Sequence, residues 1–182
     1  ALAGVKLQDK VRAQGDANRF KQILLAMHSY HDANKVFPPQ DELRDKKGRT
    51  GLSWRVYILP YFDQDALYKE FHLDEPWDSA HNKALIEKMP DVYKSSRSGV
   101  GPGRTTFLAP VGEDTVFGGE KAPSIQDITD GTSCTVVLVD VKPEQAVPWT
   151  APDDYTFDPK APAGGLNIGA DGRFLAACAD GA

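Results

Sequence analysis

The chain has 182 residues, of which 41% are hydrophobic and 26% are charged, and its net charge is -5. These values are typical of one globular domain that is long enough to bury an ordinary core. The acidic balance weighs against nucleic-acid binding, which needs a basic surface, so we expect no nucleic-acid partner. No apolar run approaches the roughly 18 residues that span a bilayer.

The charges are unevenly distributed along the chain. Residues 1–35 carry six Lys/Arg and three Asp/Glu, a net charge of +3, whereas the remainder carries -8. A basic helix joined to an acidic body suits a subunit that packs its head against a stem, or a stem near acidic lipid. A solvated helix face explains the same charges, so both interpretations stay open.

The opening segment predicts one long helix. Its apolar residues recur at i, i+3, i+4 and i+7, the helical spacing, and Lys and Arg occupy the polar side. Pro38 and Pro39 cannot continue a helix, and Phe37 must leave the α region because it precedes a proline. We therefore predict a helix over residues 2–33.

Two further helical regions are predicted before residue 90. A segment that is apolar on nearly all sides follows Ser53, and we expect a capped helix there that is interrupted near Pro60 and then resumes. Ser79 is the predicted N-cap of a short helix over residues 80–89, which a proline ends.

The second half of the chain predicts strands. Residues 105–111 and 135–141 are β-branched and apolar, and residues 173–178 are predicted to form the final strand. Residues 124–131 predict a helical turn or a tight turn, and residues 142–165, with five prolines, predict a long loop. Because helices lead and strands follow, the predicted class is α+β, with the long helix packed on an antiparallel sheet.

Two groups of side chains have the chemistry of metal ligands. His28 and His31 are three residues apart on the predicted helix, next to Asp32. Asp127 and Asp130 lie in a predicted turn of the kind that suits calcium. In both cases a structural role competes: histidines suit the C-terminal end of a helix, and aspartates cap helices and form turns. We favour the structural roles.

A second histidine group lies after the resumed helix. His72 and His81 flank Asp74 and Asp78, which gives a further possible metal site. The competing interpretation is that His72 and Trp77 hold a turn while Asp78 and the following serine cap the next helix. We favour this second interpretation.

The remaining candidates for chemistry are weak. No serine stands in a Gly-x-Ser-x-Gly elbow, so we expect no enzyme. Trp54, Trp77 and Trp149 suit either core packing or a face that binds carbohydrate or peptide. Cys134 and Cys178 fit no zinc or Cys-x-x-Cys pattern, so they are either two thiols or one disulfide, which would close a loop of about 45 residues.

Five blocks of the chain together resemble a known family. They are Phe20–Pro39, Leu52–Tyr68, Phe71–Leu85, Asp127–Ser133 and Phe174–Gly181. They are similar to the DUF1559 family, pilin- and pseudopilin-like proteins of planctomycete bacteria, and the last block resembles that family's C-terminal H-x9-DG motif. Ala170 stands where the motif has its histidine, and Asn167 is the nearest polar residue. The motif residues that the resemblance marks as structural are His31, Phe37, Pro38, Pro39, Trp54, Pro60, Trp77, Asp78, Asp130, Gly131, Asp180 and Gly181.

The resemblance implies a function without catalysis. We expect the soluble domain of a pilin- or pseudopilin-like subunit in a cell-envelope filament or type II secretion-like assembly. Residues 1–182 would form one domain, with residues 1–33 as its stem and residues 34–182 as its head. Other pilin-like subunits would bind through the stem, and a membrane would be reached only through a segment before residue 1. We expect that the natural chain continues before residue 1, and the resemblance suggests that it also continues after residue 182.

The resemblance also bears on location, ions and the cysteines. It implies an extracytoplasmic, membrane-anchored protein of the cell envelope, with no cofactor and with calcium as the candidate ion. An oxidising envelope favours the disulfide between Cys134 and Cys178. The alternative function is an envelope-located module that binds carbohydrate or peptide through its tryptophans and the loop over residues 142–165.

Overall fold

The computed structural model describes most of the chain. In the first helix it describes side chains from Lys10 onward. The described residues are 2–39, 51–96, 99–112, 115–117, 123–128, 131–133 and 135–181. Among the described residues, the α-helices lie in the first half and the strands in the second, which confirms the predicted α+β class.

The long N-terminal helix, α1, spans Leu2–Asn34 and confirms the helix predicted over residues 2–33. It ends before the two prolines, because Lys35 adopts a left-handed conformation with φ of 66°. The Lys35 amide donates to the carbonyl of His31 at 2.6 Å, which closes the last turn. Within the described residues, no helix combines the length and the apolar character that a bilayer crossing requires.

Short helices follow between residues 54 and 93. They are α2 (Trp54–Tyr57), a 3-10 helix (Leu59–Phe62), α3 (Asp65–Glu70), α4 (Ala80–Ala84) and two further 3-10 helices (Leu85–Lys88 and Asp91–Tyr93). Pro60 lies in the first turn of its 3-10 helix, so the predicted interruption and resumption are confirmed. Ser53 and Ser79 are N-caps, as predicted, and the helix predicted over residues 80–89 changes from α to 3-10 after one turn.

In the part of the chain that the structure describes, seven short strands form three small sheets. The strands are β1 (Arg104–Thr105), β2 (Phe107–Leu108), β3 (Pro110–Val111), β4 (Val136–Asp140), β5 (Val147–Pro148), β6 (Tyr155–Thr156) and β7 (Ala176–Cys178). The largest sheet is antiparallel in the order β2–β4–β7, and β1 pairs antiparallel with β5. β3 and β6 pair in parallel, which the antiparallel prediction did not include.

Two predictions about the second half need correction. The single strand predicted over residues 105–111 is divided into β1, β2 and β3, each of which has a different partner strand. The loop predicted over residues 142–165 contains β5, β6 and a 3-10 helix over Pro143–Gln145. Strands of two residues are too short to produce a recognisable alternation in the sequence.

The antiparallel sheet has an apolar cluster on each face. On one face α1 packs against it, and the rings of Phe20 and Phe107 meet edge to face at 4.7 Å. This main core also contains the short helices. On the other face a smaller cluster forms around Leu108, Val139 and Tyr155. α1 is therefore bound to the rest of the domain through this main core, which the short helices share with one face of the sheet.

Candidate functional site

α1 has a buried face and an outer face. The described residues of the buried face are Asp16, Phe20, Ile23, Leu24, Ala26 and Met27. The outer face, which we define as one row of exposed residues, consists of Val11, Gln14, Asn18, Gln22 and Leu25, and Lys21 is exposed beside this row. Steps of three or four residues place these five side chains in one row along the helix. Val11 is 65% exposed and Leu25 is 68% exposed, so the row carries a large apolar side chain near each end.

Asp16 marks the point at which α1 leaves the core. Its buried carboxylate accepts hydrogen bonds from the Ser96 amide at 2.9 Å, the Ser96 hydroxyl at 2.9 Å and the Arg19 guanidinium at 2.8 Å. The Ser96 hydroxyl also contacts the Arg12 carbonyl at 3.1 Å. Among the described side chains that precede Asp16, none is buried. The helix thus extends beyond a polar attachment to the loop around Ser96.

The C-terminal end of α1 is fixed by aromatic contacts. The rings of His28 and His31 lie 6.0 and 5.1 Å from the buried ring of Phe37. His31 Nε2 accepts the amide hydrogen of Ile125 at 3.2 Å, so its other nitrogen, Nδ1, carries the ring proton if the imidazole is neutral. The predicted metal pair therefore has a packing role here, at the contact between α1 and the segment around Ile125.

The other metal candidates also have structural partners. Asp127 forms a capping box with Ser124 on a 3-10 helix over Ile125–Asp127, which confirms its predicted capping role. The hydrogen bonds from the Ser124 amide and hydroxyl lower the pKa of Asp127. Asp130 lies outside the described residues. Within the described part of the chain, no group of three or more His, Cys, Asp and Glu side chains is arranged to hold a metal ion.

The turn before α4 is organised by a buried asparagine. The Asn82 side chain accepts from the His72 amide at 3.0 Å and donates to the carbonyls of His72 and Pro76. The rings of His72 and His81 stack at 3.6 Å with their planes 2° apart. His72 Nδ1 lies 3.0 Å from Glu75, whose pKa is lowered by hydrogen bonds from Ser79 and then from His72. The histidine group predicted here thus shapes a turn, and sequence reasoning missed Asn82 as its centre.

The tryptophans do not form a ligand-binding face. Trp54 and Trp149 are fully buried in the main core, and Trp77 is partly buried at its edge. Trp149 stacks on Tyr93 at 5.7 Å and donates its indole N–H to the Ile86 carbonyl at 3.0 Å. Core packing, one of the two predicted roles, is therefore confirmed for Trp54 and Trp149, and the alternative role of Trp149 in binding carbohydrate or peptide is wrong.

A buried ion pair lies beside Trp54. The guanidinium of Arg55 contacts the carboxylate of Asp154 at 2.7 Å, and the two side chains are 0% and 1% exposed. Asp154 also accepts the indole N–H of Trp54 at 3.0 Å and the Ala109 amide at 2.8 Å. Burial raises the pKa of Asp154 to about 6, against the opposing influence of the Arg55 charge and of these hydrogen bonds. The groups that contact Asp154 belong to the core, so we assign the ion pair a structural role that connects α2 with the segment around Ala109.

The first half of the chain matches a family model. Residues 12–100 match the family described as "Protein of unknown function (DUF1559)". The chain belongs to the DUF1559 family. The matched residues include the described outer face from Gln14 to Leu25, α2, α3, α4 and the turn around Asn82. No curated protein and no solved structure matches the chain.

Several residues that the resemblance marked as structural have clear roles in the fold. Phe37 and Trp54 are buried, and Pro60 begins a 3-10 helix. Gly131 and Gly181 have φ of 88° and 93°, a left-handed conformation that favours glycine. Asp78 is exposed, whereas its neighbour Ser79 supplies the cap of α4.

The C-terminal block of the chain continues the sheet. The Ala179 amide donates to the Thr135 carbonyl at 2.8 Å, and the Asp180 amide donates to the Thr132 carbonyl at 3.2 Å. Asn167, the polar residue nearest the missing motif histidine, donates to the buried carboxylate of Asp140 at 2.9 Å. The disulfide between Cys134 and Cys178 stays a prediction, because Cys134 lies outside the described residues.

Sequence reasoning missed the polar groups that the fold buries. Asp16, Arg55 and Asp140 are all buried, and none was a predicted site residue. One signal was available: Arg55 stands between Trp54 and Val56 in an otherwise apolar segment. A charged residue in such a place needs a buried partner, although the sequence does not show that the partner is Asp154.

Proposed function

We propose that the chain is part of a non-enzymatic, pilin- or pseudopilin-like subunit of a cell-envelope filament or type II secretion-like assembly. Its outer face on α1, from Val11 to Leu25, would pack against the corresponding helix of neighbouring subunits. The observation that carries this proposal is the exposure of Val11 and Leu25 on one row of a helix of 33 residues. Exposed apolar side chains near both ends of one helix row offer a partner helix apolar surface whose burial is favourable.

The distribution of charge supports a second contact in the assembly, between the helix of one copy and the head of another. Residues 1–35 carry a net charge of +3 and the remainder carries -8. A basic helix is attracted to the acidic heads of neighbouring copies, which favours an ordered encounter over self-repulsion between heads. We further propose that the partners are pilin-like subunits and that the location is the extracytoplasmic side of the cell envelope.

The experiment uses the full-length gene product in its native cell. Val11→Asn and Leu25→Asn are combined in one variant, and Leu73→Asn, which changes another exposed leucine, is the matched control. We expect the wild type and the control to sediment with the envelope fraction in cross-linkable assemblies, and the double variant to lose most of the cross-linked species. All three substitutions are at exposed positions, so we expect the free energy of unfolding to change by less than about 0.5 kcal/mol each.

Two results would contradict the proposal. One is a wild-type protein that is recovered entirely from the cytosolic fraction. The other is a double variant that assembles to the same extent as the Leu73→Asn control.

A further inference from the structure

A cavity of about 290 Å³ opens on the face of the sheet that lies away from α1. Its lining includes Val136, Val139, Tyr155, Phe157, Leu166 and Phe174. Val139, Tyr155 and Leu166 are buried members of the smaller apolar cluster. Phe174 is 46% exposed and lies at the mouth. The cavity is therefore an opening into this smaller cluster, which we call the second cluster.

The floor of the cavity exists because β4 contains a bulge. Regular alternation would place Val136 and Leu138 on one face of the strand, and Val137 and Val139 on the other. A register shift between Val136 and Leu138 breaks this alternation. Val137 and Leu138 both join the main core, whereas Val136 and Val139 both face the second cluster. Bulges often redirect side chains next to functional sites, and this one turns two valines into the same cavity.

The polar side chains that line the cavity all present hydrogen-bond acceptors to a ligand. The hydroxyls of Thr115, Thr135 and Tyr155 each donate their single proton to a backbone carbonyl of the protein. Only acceptor lone pairs of these hydroxyls remain for a ligand. The ten described residues that line the cavity carry no formal charge, and burial raises the pKa of Tyr155, so this phenol stays neutral near pH 7.

The volume limits the size of an occupant. A dry cavity of about 150 Å³ lined by aliphatic and aromatic side chains binds a benzene ring. A cavity of about 290 Å³ therefore has room for a fused two-ring aromatic group or a branched aliphatic group of similar size. Its lining of valine, leucine, proline and aromatic side chains matches the usual composition of small-molecule sites.

We propose that this cavity is a binding site for a small uncharged ligand, aromatic or branched aliphatic and about two rings in size, with any polar group a hydrogen-bond donor. The site lies on the face opposite to α1, so it is independent of the proposed assembly surface. Assembly and ligand binding can consequently be tested, and can fail, separately.

The test measures binding of 1-naphthol by isothermal titration calorimetry. 1-Naphthol is an uncharged two-ring aromatic with one O–H donor, and naphthalene-1-sulfonate is its charged counterpart of similar shape. We expect saturable binding of one 1-naphthol per chain and binding of the sulfonate that is at least about tenfold weaker, because burying an unpaired charge is costly.

Matched variants locate the bound probe. Phe174→Ala removes a ring at the mouth, and Ile168→Ala is the control, since both side chains are 46% exposed and Ile168 does not line the cavity. We expect Phe174→Ala to weaken 1-naphthol binding about five- to tenfold and Ile168→Ala to change it less than about twofold. Val136→Phe should fill the floor and abolish binding. Phe174→Ala keeps the test valid if Val136→Phe does not fold.

Three results would overturn the proposal. The first is a lack of saturable 1-naphthol binding to the wild type. The second is equal affinity of the Phe174→Ala and Ile168→Ala variants, which would place the probe elsewhere. The third is a sulfonate that binds as tightly as 1-naphthol, which would refute the uncharged class of ligand.

Discussion

Arg55 and Asp154, which are 99 residues apart in sequence, form an ion pair of 2.7 Å inside the core. Arg55 also donates two hydrogen bonds to the carbonyl of Phe107 in β2, at 3.2 and 3.0 Å. Asp154 accepts from Trp54 and from Ala109, which lies between β2 and β3. One pair of opposite charges therefore joins α2, the strands and the segment before β6.

Removing one partner of this pair should be strongly destabilising. In Arg55→Met the carboxylate of Asp154 loses its counter-charge in a site from which water is excluded. Breaking a buried pair in this way costs about 3–5 kcal/mol. We expect a loss of this size in the free energy of unfolding, measured by urea denaturation at pH 7.5.

A double variant and a surface pair serve as controls. Arg55→Met with Asp154→Leu should lose less than the sum of the two single losses, because neither charge then remains unpaired. Lys88→Met breaks the exposed pair between Lys88 and Glu70, and we expect it to cost about 1 kcal/mol or less. A loss for Arg55→Met no larger than that for Lys88→Met would show that the buried pair does not stabilise the fold.

The pH dependence of stability should carry the signature of Asp154. Burial raises the pKa of Asp154 to about 6 in the folded state, whereas the pKa of an aspartate in an unfolded chain is about 3.9. Between these values the folded state binds more protons than the unfolded state. The stability that this group contributes is therefore complete below the unfolded pKa and is lost as the pH rises through about 6.

Asp154→Asn isolates that contribution from those of the other carboxylates. We expect the wild type to lose stability relative to Asp154→Asn as the pH rises from about 4 to about 7, measured by urea denaturation at several pH values. A difference between the two proteins that is constant over this range, or that changes in favour of the wild type, would contradict the raised pKa.

The features that the sequence predicted are those set by neighbours within a few residues. The end of α1 near Phe37, the caps at Ser53 and Ser79, and the break at Pro60 depend on local backbone chemistry, which single residues reveal. The capping role of Asp127 belongs to the same class. These predictions are confirmed because their partners lie only two or three positions away.

The features that the sequence did not predict are those formed between distant segments. The partner of Arg55 is 99 residues away, and nothing in the local pattern distinguishes Asp154 from its exposed neighbour Asp153. The parallel pairing of β3 with β6 joins strands of two residues, which have no usable periodicity. The cavity depends on the bulge after Val136, since a single extra residue there changes the faces of all the residues that follow.

The capping box at Ser124 provides a prediction about a single titration. The Ser124 amide and hydroxyl donate to the Asp127 carboxylate at 2.7 and 2.9 Å, and they lower its pKa from the ordinary value of 3.8. The ionised Asp127 carboxylate therefore stabilises the fold at pH values above its unfolded pKa. This contribution is lost as the pH falls through the pKa of Asp127 in the folded state. We expect NMR titration of the Asp127 carboxyl carbon to show a midpoint below 3.8.

Ser124→Ala tests whether the hydrogen bonds cause the shift. Loss of the hydroxyl removes one of the two donors, so the midpoint of Asp127 should move upwards. The midpoint of Asp91, whose pKa is lowered by the hydrogen bond from Lys94, should stay unchanged. An Asp127 midpoint that is the same in wild type and variant would show that the hydroxyl does not contribute.

The attachment of α1 to the loop at Ser96 gives the last prediction. Asp16 is buried and accepts from the amide and hydroxyl of Ser96. Asp16→Ala leaves the amide without its acceptor, whereas the hydroxyl keeps the Arg12 carbonyl. Loss of hydrogen bonds to a buried charged group costs about 1–3 kcal/mol. We expect a loss of this size in the free energy of unfolding, together with faster hydrogen exchange of the Ser96 amide in NMR.

Two variants separate this attachment from a general effect on the helix. Asp32→Ala removes an exposed carboxylate from the same helix, and we expect it to leave Ser96 exchange unchanged. Asp16→Asn keeps one acceptor oxygen, and its effect should lie between those of the wild type and Asp16→Ala. If Asp16→Ala and Asp32→Ala had equal effects on Ser96, the carboxylate of Asp16 would not hold the loop. The projecting part of α1 would then be positioned by its apolar contacts from Phe20 onward, because these are the next buried side chains along the helix.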